Sequence, residues 1–286
     1  MVFKRLGLVV VDEQHKFGVE QREALLAKGD DPHLLTMTAT PIPRSLAHSL
    51  YGDLDLTIIR EKPPGRQPIR TVLREHARAP KVYEYVRDHI RQTGQQAYLV
   101  YPLVEGSAAA PGRRNVIEAH ERLSAGVFSE LEVGLLHGRM RPEDKDAMMT
   151  GFAAGSIHVL CSTTVVEVGV DVPNATLMII ENAEQFGLSQ LHQLRGRVGR
   201  GAAQSMCVLL AGAGAHPFAI DRLRAFARTD DGFELAEVDL RTRGPGDFLG
   251  VRQAGQAEFR FGDVLRHADL LHQARADARQ RVLGRS

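Results

Sequence analysis

The run Gln190–Arg200, QLHQLRGRVGR, carries three arginines, Arg195, Arg197 and Arg200, at spacings of two and three among glycines. Guanidinium groups make planar two-point contacts with phosphate and stabilise charge that develops as a phosphoryl group transfers. Gly196 and Gly199 weaken a helix and let the backbone approach a ligand closely. The bland alternative is a solvated basic turn. A second candidate is Asp12-Glu13-Gln14-His15, which ends the apolar run Leu6–Val11. In open parallel sheets ligands sit outside the carboxyl ends of the strands. Two carboxylates there divide labour: one holds the water shell of a nucleotide-bound magnesium ion, and the other orients a water for in-line attack. Neighbouring strand residues point to opposite faces, so both can serve only where the strand turns into a loop. The alternative is a pair of surface carboxylates capping the next helix. Thr38-Ala39-Thr40-Pro41 ends another apolar run and puts two hydroxyls at the same edge, unless Thr40 simply caps the helix after the prolines.

The elements that must position these groups follow from apolar periodicity. Leu6–Val11 reads as a parallel strand buried on both faces, followed by a helix over 21–28, a strand over 34–37, a helix over 44–51 and a strand over 54–59. The segment 60–70, REKPPGRQPIR, with three prolines and no apolar period, reads as a linker. Val82, Val86 and Ile90 then mark one helical face, and strands are expected over 97–104, 133–136, 158–161, 177–180 and 206–210, with helices from 116 and over 142–153. From about Gly214 the chain is Arg-rich and mostly helical, with a glycine-punctuated break over 243–250. The fold class is α/β with parallel sheets. The divisions are 1–60 as part of a first domain, 61–76 as linker, 77–213 as a complete second domain and 214–286 as a mainly helical C-terminal region. The first of these has too few βα steps to close a core alone, which leads to the expectation that the chain is part of a longer protein.

Composition sets broad limits. The 286 residues are 43% hydrophobic and 25% charged, as in an ordinary globular protein. The net charge of +1 conceals fifteen arginines against eleven acidic residues from Arg195 onward, a mild bias that suits a phosphate-rich partner and suits a salt-bridged surface equally. Cys161 and Cys207, each in an apolar run, offer neither a disulfide framework nor a zinc pattern and imply buried thiols in a reducing compartment. No stretch approaches membrane-spanning length. Met148 and Met149 read as core filling, Tyr98 and Tyr101 as packing, and Phe248, Phe259 and Phe261 as anchors of the tail. His48, His76, His89 and His120 show no ligand spacing.

Taken together, DEQH at 12–15, TATPIPR at 38–44, HGRM at 137–140, TTVVEVGVDVP at 163–173 and QLRGRVGR at 193–200 resemble helicase superfamily 2 motifs II to VI in their proper order. DLRTRGPGDFLGVRQAG at 239–255 resembles the TRG element of the RecG family. The resemblance implies part of one RecA-like domain, a complete second one and a TRG tail. It implies an ATP- and Mg2+-dependent 3′→5′ DNA helicase, a monomer in the bacterial cytoplasm. Its DNA would be branched duplex (forks, Holliday junctions), with single-stranded DNA-binding protein as a further candidate partner and no membrane partner. By that resemblance Asp12 is the magnesium-associated carboxylate and Glu13 the water-activating base. Gln14 and His15 couple the nucleotide site to the second domain. Thr38, Thr40 and Arg44 relay nucleotide state to DNA grip. Arg197 and Arg200 are arginine fingers with Gln193 beside them, and Gly169 and Asp171 meet nucleotide and DNA backbone. His137, Gly138, Arg139, Ser162 and Thr163 are DNA-phosphate contacts, and Arg241, Arg243, Gly244 and Gly246 belong to the TRG element.

A related translocase of the transcription-repair coupling type shares that element, but DEQH, VEVGVDVP and PPGR at 63–66 stand closer to RecG. The sequence holds no G-x-x-x-x-G-K-[ST] and no Gly-Lys pair at all, so the loop that cradles nucleotide phosphates is not within it. The isolated chain is accordingly expected to be inactive as an ATPase. A non-catalytic DNA-binding module and a gene-prediction fragment are the competing readings.

Overall fold

The computed structural model describes residues 3–13, 18–38, 55, 57–59, 61, 67–102, 116–164, 171–243 and 268–283. The chain divides into two compact units, Met1–Pro41 and Ile42–Ser286. In the first, β1 (Leu8–Val11) and β2 (His33–Thr36) pair in parallel across the connecting helix α1 (Val19–Leu26). Burial on both faces is not what β1 displays: Val9 and Val11 are buried, whereas Leu8 and Val10 are more than half exposed. A single βαβ layer covers one face of its strands, so the apolar run alternates in burial although it does not alternate in sequence.

The second unit is built on six parallel strands in the order β3-β8-β7-β4-β6-β5: β3 (Arg70–Glu75), β4 (Gln96–Val100), β5 (Val133–Leu136), β6 (Val159–Ser162), β7 (Ala175–Glu181) and β8 (Met206–Ala211). Its helices are α2 (Ala79–Thr93), α3 (Val116–Ala125), α4 (Pro142–Ala153), α5 (Leu188–Arg195), α6 (Pro217–Arg228), α7 (Gly232–Arg243) and α8 (Ala268–Leu283). The central strands are buried along their whole length, and successive side chains enter two separate cores. Leu99, Cys161, Ile179 and Val208 pack with Tyr83, Val86 and Ile90 of α2 and with Leu123 of α3. Tyr98, Leu160, Met178 and Leu209 pack on the opposite face with Phe152 of α4, Leu191 of α5, Phe226 of α6 and Leu235 of α7. Parallel strands need such cover on both faces, which makes the unit a three-layer α/β/α sandwich.

Most expected elements lie within a residue or two of the observed ones, but three differ. Within the stretch read as linker, 61–76, Arg70–Glu75 is an edge strand paired with β8. The strand expected to run to Val104 ends at Val100. Of 54–59, the described residues Asp55 and Thr57–Ile59 lie in no strand. The helix expected over 44–51, His48 and the three tail phenylalanines lie outside the described residues.

Cys161 and Cys207 are both buried and unpaired, on opposite faces of the sheet, and burial pushes each thiol up to about 12. Because the thiolate is the reacting species, neither cysteine is expected to react with a thiol reagent at neutral pH in the native protein. Both should react rapidly in denaturant. Labelling followed by mass spectrometry checks this.

Candidate functional site

In the first unit β1 ends at Val11, and Glu13 adopts a left-handed backbone with φ of 51°. This turn meets the condition that the adjacent carboxylates required, since they no longer project to opposite faces of a strand. The Glu13 amide donates to Asp12 Oδ1 at 2.8 Å, which orients an exposed Asp12 carboxylate beside a half-buried Glu13. The backbone N–H of Met37 donates to Val11 O, so the strand ends bring Thr38 to the same carboxyl edge as Asp12 and Glu13. Gln14, His15, Thr40 and Arg44 lie outside the described residues. Among the described residues no group of three or more His, Cys, Asp or Glu is placed to hold a metal ion. One exposed carboxylate at a strand end nevertheless fits magnesium that arrives with a nucleotide, because that ion keeps most of its water and phosphate ligands.

In the second unit the parallel sheet sends the remaining candidates to opposite edges. At the carboxyl ends lie His137, Gly138 and Arg139 after β5, and Ser162 and Thr163 at the end of β6. Arg139 and Gly138 are exposed, and the turn is tied down by Lys145 Nζ donating to Gly138 O at 2.8 Å. Ser162 and Thr163 are buried, which leaves Arg139 as the accessible charged group of this edge set. The other edge, where strands begin, gathers Asp171 ahead of β7 with Arg197 and Arg200 ahead of β8. Arg200 Nη1 lies 3.4 Å from Asp171 Oδ1, and Arg200 Nε donates to Gly196 O at 3.2 Å. Both members of the ion pair are about a third exposed or more, so solvent screens the attraction and Arg200 can be drawn off by a phosphate. Burial pushes the Tyr98 phenol up to about 12, against the opposing influence of Arg197 and Arg200. Gln193 lies half-buried on α5, one turn before Arg197. Arg241 and Arg243 fall in the last turn of α7, and Gly169, Gly244 and Gly246 lie outside the described residues.

Sequence reasoning treated the three arginines of QLRGRVGR alike in chemistry, and here the structure separates them. Arg195 is 2% exposed, buried against α6 and the α6–α7 junction. Burial lowers its pKa, opposed by Asp230. Also unanticipated was Glu181 at the end of β7, a fully buried carboxylate that accepts from Tyr83 Oη and lies 3.3 Å from His76 Nδ1. It ties the turn after β3 and the helix α2 to the sheet. Neither partnership has a local sequence signal, because each joins residues far apart in the chain. His89 meets Gln95, and His120 meets Val133 O.

A parallel sheet covered by helices on both faces, with Arg197 and Arg200 on the loop between α5 and β8, has the fold of a RecA-like domain of the helicase class. Residues 82–202 match the helicase conserved C-terminal domain, and residues 229–285 match ATP-dependent DNA helicase RecG, domain 3, C-terminal. The chain is 51% identical to the ATP-dependent DNA helicase RecG of Thermotoga maritima, over 97% of this chain and 35% of that protein. It is 50% identical to the Escherichia coli protein of that name, over 97% of this chain and 40% of the relative. A solved structure of RecG bound to a three-way DNA junction matches with a TM-score of 0.72 and 48% identity, covering 94% of this chain and 34% of that one. The chain is thus similar to RecG helicases along nearly its whole length and spans little more than a third of the length of these relatives.

Gly199 fixes the path into Arg200. Its φ is 76°, and a Cβ there would come within 2.9 Å of Ile69 Cγ1. Gly94, with φ of 68°, has nothing within 4 Å of its Cβ position. Gly94→Ala is expected to cost only the left-handed backbone penalty, about 1 kcal/mol. Gly199→Ala should cost about twice that or more, since Ile69 must also move. Urea denaturation of the two variants beside the parent gives the comparison.

Proposed function

We propose that this chain is a DNA-remodelling part of an ATP-driven motor that reshapes branched duplex DNA in recombination and repair. The observation that carries the reading is the match over 94% of the chain to a RecG solved on a three-way DNA junction. In the working protein Asp12 would hold the magnesium that accompanies ATP, and Glu13 would orient the attacking water. Gln14, His15, Gly169, Asp171 and Gln193 would line the nucleotide. Arg197 and Arg200 would stabilise charge on the transferring phosphoryl group, a role in which arginine is worth several orders of magnitude in rate. ATP supplies the phosphoryl group and the free energy. The residues of this chain position water, neutralise charge and grip the DNA.

On the DNA side, His137, Gly138, Arg139, Ser162 and Thr163 contact backbone phosphates, with Thr38, Thr40 and Arg44 relaying nucleotide state. Arg241, Arg243, Gly244 and Gly246 convert domain movement into translocation. Of these, Ser162 and Thr163 are buried, whereas Arg139 is exposed. The partner is forked or four-way DNA, with single-stranded DNA-binding protein as an auxiliary partner. The setting is the bacterial cytoplasm, and the motor acts as a monomer; no helix among the described residues is long and apolar enough to cross a membrane.

A binding-only role for the isolated chain is favoured by one observation, the lack of any Gly-Lys pair to cradle phosphates. Two expectations follow from this combination. The chain binds a labelled three-way junction in fluorescence anisotropy, with affinity that falls as salt rises because bound phosphates release counterions. It does not hydrolyse ATP with magnesium and forked DNA. No junction binding even at low salt would contradict the DNA role. Turnover that Glu13→Gln abolishes would mean that another part of the chain holds the phosphates.

A further inference from the structure

The loop that carries Arg200 lies between two other segments. On one side runs the end of the linker, residues 67–69, just before β3 begins at Arg70. Gln204 Nε2 donates to Pro68 O at 2.7 Å, and the Arg70 amide donates to Ser205 O at 3.0 Å. Ile69 packs, half-buried, on the core that contains Val198. Its Cγ1 and Cδ1 occupy the space that a side chain at Gly199 would need. On the other side runs the turn that carries Asp171. A Cβ at Gly201 would come within 2.7 Å of Pro173 O, so backbone closes the loop in there, and Arg200 Nη1 lies 3.4 Å from Asp171 Oδ1. The Pro173 side is a wall of main chain, whereas the linker side consists of hydrogen bonds and one flexible side chain. The linker side is therefore where the loop can give.

We propose that Pro68, Ile69 and Gln204 are positioning residues for Arg200: the end of the linker holds the loop from which that guanidinium reaches an anion, so the path of the linker sets how free Arg200 is to move. The proposal rests on the functional reading above, in which Arg200 meets a transferring phosphoryl group. Among the described residues β3 is an edge strand held by β8 alone, and its ladder begins where Arg70 lies opposite Met206. A change in the direction of the chain before Arg70 is thus met first at Pro68 O and at the Ile69 side chain. Proline has no N–H, so its carbonyl is the one backbone group through which Pro68 can be held, and Gln204 takes it. Gly199 directly precedes Arg200, and with φ of 76° and Ile69 against it, it transmits a shift of the linker to the arginine. The three residues act through the backbone of the loop and not on the phosphoryl group itself.

The test is nuclear magnetic resonance of the arginine Nε–Hε groups in the full chain, with the exchange of the Arg200 Hε with water as the measured quantity. Arg200 Nε donates to Gly196 O at 3.2 Å, so its Hε is protected only while the loop keeps its place. The Arg200 signal is assigned by its loss in Arg200→Lys, and Arg139 at the opposite edge is the reference. Gln204→Met keeps the length of the side chain and removes the donor, Gln204→Lys keeps a donor, and Ile69→Ala removes the packing. Gln204→Met and Ile69→Ala are each expected to speed exchange at Arg200 about fivefold with Arg139 unchanged, and Gln204→Lys to stay within about twofold of the parent. A merely structural role would lower the midpoint of urea unfolding and leave the Arg200 rate as in the parent, which overturns the proposal. Equal acceleration in Gln204→Met and Gln204→Lys overturns it too, because the donor would then not matter. If Ile69→Ala does not fold, the two variants of the exposed Gln204 decide alone. Titration of the parent with three-way junction DNA separates the two claims. No binding sinks the functional reading whatever the Arg200 rates are, whereas binding with an Arg200 rate indifferent to Gln204 and Ile69 sinks the positioning only.

Discussion

A parallel sheet with no solvent-facing side constrains everything else in the larger unit. Because β4 and β7 are buried along both faces, every connection must cross from one edge of the sheet to the other and cover a face on the way. The polar residues that remain are driven to the two edges. At the carboxyl edge they surround Arg139. At the opposite edge they bring Arg197 and Arg200 beside Asp171. The separation of Arg139 from Arg197 and Arg200 is thereby a consequence of strand direction, before any particular side chain is considered.

The three arginines of one short motif illustrate how burial assigns roles. Arg200 is held by a screened ion pair and one long hydrogen bond, so its charge is available to a stronger anion. Arg195 spends its donors on backbone carbonyls and is closed off from solvent. Identical chemistry thus yields a mobile charge at one position and a fixed fastener five residues earlier. Glu181 has the corresponding part at the other edge, where Tyr83 and His76 surround a carboxylate that would otherwise be a costly buried charge.

Much of this architecture was legible in the sequence because buried parallel strands are continuous apolar runs. Val133–Leu136 and Pro142–Ala153 fall where periodicity put them, and in the α2 stripe Val86 and Ile90 are buried and Val82 half-buried. The edge strand Arg70–Glu75 was not legible, since RTVLRE pairs on one side only and needs few apolar residues. The apolar run at Leu8–Val11 gave the strand but misjudged its surroundings, because burial of a face depends on what covers it. The candidate site was readable as a set of motifs. Its partition between edges and the burial of Arg195 were not, as these depend on partners such as Phe226 that lie 31 residues away.

The central claim is that this chain supplies the arginines and the DNA-gripping region of a branched-DNA motor. The most direct measurement joins it to the unmatched part of the Thermotoga maritima relative and follows junction-stimulated ATP turnover, with and without Arg200→Ala. The account predicts turnover in the fusion and a fall in kcat of about a thousandfold in the variant, with nucleotide binding retained. Turnover that is indifferent to Arg200, or equally fast without DNA, would contradict it.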